Sequence, residues 1–163
     1  MNMGATRYRL SILAFEQASS FWRAAHELLL HGFNTTQFCL FGLPFVIEEQ
    51  KAPPAKPLAL AAELNGLLAT PPTRVRLTST DIFEMRCGEL AERLFTHSEP
   101  GIVEASWMRP DLARTLVSDV ASGCLVLLVT SITADQHALG ARLLLRHGDR
   151  NLQTNEFSMP IEK

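Results

Sequence analysis

Leu28-Leu29-Leu30-His31-Gly32 and Leu143-Leu144-Leu145-Arg146-His147-Gly148 are two versions of one helix ending, one near each end of the 163-residue chain. In both, leucines complete an apolar stripe and a glycine stands where the left-handed residue that stops a helix belongs. Each ending follows a strand-like apolar run, Tyr8 to Phe15 or Cys124 to Ile132. Each precedes a second extended run, Thr35 to Phe41 or Leu152 to Ser158. The chain therefore reads as two βαβ-like units bracketing a long central segment.

The details within each unit agree with this. Tyr8, Leu10, Ile12 and Ala14 alternate as one face of a strand, and Phe21, Ala25, Leu28 and Leu29 then recur at helical spacing from Glu16 to His31. Gly42 and Pro44 close the next strand. In the second unit Leu125 to Val129 is apolar on both faces, as expected of a covered central strand. Thr133 with Gln136 forms a capping box, and Leu139, Leu143 and Leu144 follow as the buried stripe. Two such halves predict an α+β, ferredoxin-like sandwich, with helices on one face of a four-stranded antiparallel sheet. The expected organisation is a single domain, 1–163, with βαβ halves at 7–44 and 123–160 and a mainly helical insertion at 45–122.

Within the insertion, Glu48 to Pro57 reads as an exposed linker because Pro53, Pro54 and Pro57 interrupt regular hydrogen bonding. Leu60, Leu64, Leu67 and Leu68 predict a helix over Leu58 to Ala69, stopped by Thr70-Pro71-Pro72. Thr73 to Thr78 alternates Val75 and Leu77 with Arg74 and Arg76, as a short exposed strand does. Asp81 and Glu84 then open a predicted helix carrying Ile82, Phe83, Leu90, Leu94 and Phe95. Another helix is expected from Pro110 to Ser122, with proline at its first position. The stripes of these three helices need cover, either from the free face of the sheet or from a second subunit, so a homodimer or other homo-oligomer is expected.

Composition narrows the function classes. Fifteen basic against seventeen acidic residues, with no basic stripe, argue against a nucleic-acid partner. No run approaches the roughly eighteen apolar residues of a membrane span, and Met1 to Arg9 lacks a signal-type apolar region, so a cytoplasmic location without membrane contact is expected. Cys39, Cys87 and Cys124 are odd in number and widely spaced along the chain, which fits reduced, buried thiols. His26, His31, His97, His137 and His147 show no metal-ligand spacing. Neither a metal nor a cofactor is expected. His31 and His147 stand in the last turns of their helices, where an imidazolium caps the negative dipole end. Trp22 and Trp107 are large apolar anchors for a core or an interface.

The run Phe15 to Phe41, with Ala24-Ala25, Leu28 and Gly32-Phe33, resembles the opening βαβ of small bacterial general-stress or heat-induced proteins of unknown function. Pro110, Ala113, Gly123, Leu125 to Val129, Leu144 and His147-Gly148 resemble their closing segment. The resemblance covers about half the chain and implies a ferredoxin-like module acting in stress response or regulation, with no catalytic residue carried over. The absence of a nucleophile elbow, a Walker loop or a dinucleotide fingerprint agrees with a non-enzymatic module whose central helices receive a protein partner. The alternative is a small-molecule sensor for an anion or amino acid. Its candidate site is Arg74, Arg76, Ser79 and Thr80, where guanidinium groups, hydroxyls and the amides of a predicted helix start come together. An enzyme assembled across a dimer through His31 or His147 is the third reading.

Overall fold

In the computed structural model, the residues described are 5–49, 61–78, 81–148 and 152–160. They form a mixed α+β fold. β1 (Ala5–Phe15), α1 (Ala18–Leu30) and β2 (Phe38–Gly42) make the first unit, and β7 (Leu125–Ser131), α6 (Ala134–Leu145) and β8 (Gln153–Pro160) the second. Between them come α2 (Pro44–Glu49), α3 (Ala61–Leu68), β3 (Thr73–Arg76), β4 (Ile82–Cys87), α4 (Glu89–Glu92), β5 (Thr96–Glu99), β6 (Ile102–Glu104) and α5 (Pro110–Ala121).

Among the described residues the sheet has eight strands, ordered β5-β6-β3-β4-β2-β7-β1-β8, where four were expected. The two units interleave: β7 pairs antiparallel with both β1 and β2, and β1 pairs antiparallel with β8. The insertion continues the sheet from β2 through β4, and among the described residues only β3 and β6 pair in parallel.

Period-two alternation sorts the side chains into two cores. Leu13, Phe15, Phe38, Leu40, Leu125, Leu127 and Val129 meet α1, α3 and α6 on one face. Leu10, Ile12, Ala14, Cys39, Phe41, Val126 and Leu128 meet α5 and the chain around α4 on the other. Helices thus cover both faces, correcting the one-sided expectation, and α5 supplies within this chain the cover that had motivated a second subunit. Leu112, Ala113, Leu116 and Val120 do this from its buried stripe, with Pro110 at the helix start as the sequence predicts.

The helix predicted from Asp81 to Phe95 is instead β4 followed by the single turn of α4. Phe83, Met85 and Cys87 alternate onto the α5 face and Arg86 onto the α3 face, a strand pattern that the wider spacing of Ile82, Phe83, Leu90, Leu94 and Phe95 conceals. Thr78 and Asp81 close the β3–β4 connection, the Thr78 hydroxyl donating to Asp81 Oδ2 at 2.7 Å and the Leu77 amide to the Asp81 carbonyl at 3.2 Å. Residues 35–37 form a 3₁₀ turn in place of the first part of a strand, because Asn34 caps it. Asn34 accepts from the Thr36 amide at 3.0 Å, while Gln37 Oε1 accepts from the Asn34 amide at 3.0 Å.

The two triple-leucine endings also differ. Gly32 has a φ of 95°, the left-handed stop expected of it. Gly148 is absent from the left-handed glycines, and a Cβ there would lie 2.3 Å from Leu13 Cδ2, so its requirement is close packing on β1. Trp22 is buried, and Trp107 donates from Nε1 to the Leu94 carbonyl at 2.8 Å while meeting Phe95 edge-on. Both tryptophans serve the core.

Candidate functional site

Of the predicted anion site, Ser79 and Thr80 lie outside the described residues. Arg74 is exposed on β3. Arg76, two residues on and therefore on the same face, donates from Nη1 to Glu104 and from Nη2 to Glu99, both at 3.0 Å. These carboxylates, Glu99 foremost, raise the guanidinium's already high pKa. A shallow depression of about 220 Å³ borders Arg76, but Glu104 shares its wall. No helix starts at Asp81, so the amide dipoles counted on for an anion are replaced by a hairpin connection.

A larger cleft, about 520 Å³, lies at the end of the sheet where β2 and β3 begin and β4 finishes. Its walls are α3, the 3₁₀ turn, and the passage from β4 into α4. The 3₁₀ wall is firmly held: Gln37 Nε2 donates to the Thr130 carbonyl at 2.9 Å, and the Thr130 hydroxyl returns a bond to the Gln37 carbonyl at 3.1 Å. Gly88 is the hinge point between walls. Its amide donates to the Phe38 carbonyl at 2.8 Å, and a Cβ on it would stand 2.0 Å from the Thr35 carbonyl oxygen. Only glycine permits that approach. On the opposite rim, buried Arg86 donates to the Thr70 carbonyl at 2.5 Å and pairs with Glu48 at 3.2 Å, fastening the connection between α3 and β3.

The lining residues include Thr35, Thr36, Thr70 and Thr73, the apolar Ala62, Leu67 and Pro71, and the exposed Glu63, Glu89 and Glu92; the Thr36 hydroxyl donates to Asn34 Oδ1 and that of Thr70 to the Leu67 carbonyl at 2.7 Å. No lysine, arginine or histidine among the described residues lines it. Among the described residues no three acidic, histidine or cysteine side chains converge as a metal cage, so the carboxylates are spread along the walls.

The histidines lie elsewhere. His31 Nδ1 caps α1 by donating to the Glu27 carbonyl at 2.8 Å, the capping role predicted for it. His147 instead reaches α1's side chain, with Nε2 at 3.0 Å from Glu27 Oε2, and Arg146 adds a contact at 3.6 Å. The His147 hydrogen bond holds the Glu27 carboxyl below the usual carboxylate range, against an opposing effect of burial and with help from the charges of His147, Arg146 and His31. His137 Nδ1 lies 3.4 Å from Ser11 Oγ, and His97 is exposed on β5.

Compared with known proteins, the chain matches no family model, no curated protein and no solved structure. No helix among the described residues is long and apolar enough to cross a membrane.

Proposed function

We propose that the protein is a regulatory, non-enzymatic module of ferredoxin-like type whose cleft senses a small molecule carrying an ammonium group on an apolar stem. The single observation that carries this is the lining of the 520 Å³ cleft, which among the described residues holds three glutamates, four threonines, apolar patches and no cationic residue. Its volume lies within the range of about 300–1,000 Å³ usual for small-molecule sites. Each exposed carboxylate contributes at most about 1 kcal/mol to binding a cation, so charge selects while burial of the stem against Leu67 and Pro71 supplies affinity. This turns the sensor reading from an anion toward an amine or the amino end of an amino acid.

The ferredoxin-like assignment draws on the order β8-β1-β7-β2, in which each half's strands enclose a strand of the other. The resemblance to general-stress proteins is the ground for placing the module in a stress response. Self-association draws support from Leu30, Phe45, Ile132 and Leu145, large apolar side chains left exposed.

Thermal unfolding with spermidine and lysine, against phosphate, sulfate and glutamate, tests the sensor reading. A melting temperature that rises with amine concentration, and a rise lost in the Glu89→Gln, Glu92→Gln double variant, is expected. Stabilisation by the anions alone, or by none of the compounds, would overturn it.

A further inference from the structure

Cys39 on β2 and Cys87 on β4 are far apart in sequence and directly opposite in space, paired in the antiparallel register that also matches Phe41 with Met85. The Gly88 amide donates to the Phe38 carbonyl, which makes Phe38 and Gly88 a hydrogen-bonded pair. The next pair along, Cys39 and Cys87, is therefore a non-hydrogen-bonded one. At such sites Cα atoms are about 4.5 Å apart and the side chains lean together, within the span of about 4.4–6.8 Å that a disulfide bridges. Both side chains point to the α5 face, where Cys39 also donates to Met85 Sδ at 3.4 Å.

The two thiols differ in access. Cys39 is wholly buried, whereas Cys87 is half-buried and lines the cleft. Cys124, the third thiol, is buried beside Ser122 and has no cysteine opposite it in the sheet.

We infer that Cys39 and Cys87 form a reversible dithiol that closes to a disulfide when hydrogen peroxide reaches Cys87 through the cleft. The Cys87 thiolate attacks one peroxide oxygen, the O–O bond breaks, and hydroxide leaves, giving the sulfenic acid at Cys87. Cys39 then attacks that sulfur: an S–S bond forms, the S–O bond breaks, and the hydroxyl departs as water with the Cys39 proton. Overall two thiols and one peroxide become one disulfide and two waters. Burial, the neighbouring Cys87 and the Glu92 carboxylate hold the Cys39 thiol well above the ordinary cysteine range. That setting keeps Cys39 a thiol and slows closure, which gives a trapping reagent time to reach the sulfenic acid.

The test is intact-mass and peptide analysis of the full chain, folded, after stepwise addition of hydrogen peroxide and alkylation. The expected result is a species lighter by two hydrogens, a linked Cys39–Cys87 peptide, restoration by dithiothreitol, and Cys124 alkylated only after unfolding. Dimedone added with the peroxide should label Cys87, and Cys39→Ser should convert all of the bridge into that adduct. Two wild-type results would overturn the inference without reliance on any variant. One is Cys87 carried to sulfinic or sulfonic acid with no linked peptide. The other is thiols that stay unreacted in the folded chain while reacting in urea.

Discussion

The inner strands β2 and β7 and the outer strands β3, β5 and β6 share one sheet yet obey different rules. Every residue of β2 and β7 is buried, whereas β5 is exposed throughout and β3 buries Val75 alone. The inner strands are covered on both faces and so carry unbroken apolar runs. The outer ones keep their place through a few buried residues, Val75, Ile102 and Val103, and through the clasp of Arg76 on Glu99 and Glu104. Stability should therefore be concentrated in the inner strands, and the cleft lies at the join, between a wall from the first βαβ unit and walls from the insertion.

The largest effect expected from this contrast is Phe41→Ala, which removes a fully buried ring packed edge-on with Phe95. A loss of about 3–5 kcal/mol in denaturant unfolding is predicted. An effect below that of the outer-strand variant Val75→Ala, itself expected at about 1–2 kcal/mol, would break the ranking. Gly88→Ala is predicted to fall between them, at roughly 2–3 kcal/mol, because the new methyl meets the Thr35 carbonyl and must push the 3₁₀ turn aside. It should also abolish amine-dependent stabilisation, sharpening the role of the join.

The smallest effect comes from the Glu27 and His147 pair. Because the Glu27 carboxyl is lowered in the folded chain, its contribution is fully present above the unfolded value of about 4.3 and disappears as pH falls through the lower folded value. The pair is partly exposed, so about 1 kcal/mol or less is at stake. Unfolding measured between neutral pH and pH 3 should show Glu27→Gln less stable than wild type at neutral pH, with the difference vanishing in acid. A gap that widens on acidification would contradict this.

What could be read in advance follows the same division. The cap at Thr133, the proline opening α5, the stop at Gly32 and the apolar run of β7 are local signals, and each stands where the sequence puts it. β4 was hidden because its alternation spans only six residues and runs through Gly88 into a helical turn, letting the leucines and phenylalanines on either side fit a longer period. β5 and β6 are three or four residues long, and the charged, exposed Thr96 to Glu99 offers no pattern to detect. The cleft was illegible for another reason. Thr35, Gly66, Thr73 and Glu89 are ordinary surface residues apart, and only the sheet extension brings them together. Cys87-Gly88-Glu89 held the one usable hint, a glycine between apolar segments with no turn partner. Arg74 and Arg76 drew attention as a charge pattern, but the sheet neighbours that neutralise Arg76 come from strands that could not be seen.

The most direct test of the central claim, that the join between the two halves of the sheet is a binding site for an organic cation, is amide hydrogen exchange with and without saturating spermidine. The account predicts slower exchange at Thr35, Thr36 and the amides from Gly88 to Glu92, with the inner strands β1 and β7 unchanged. Unaltered exchange along those walls, or protection centred on Arg74 and Arg76 with phosphate in place of spermidine, would contradict it.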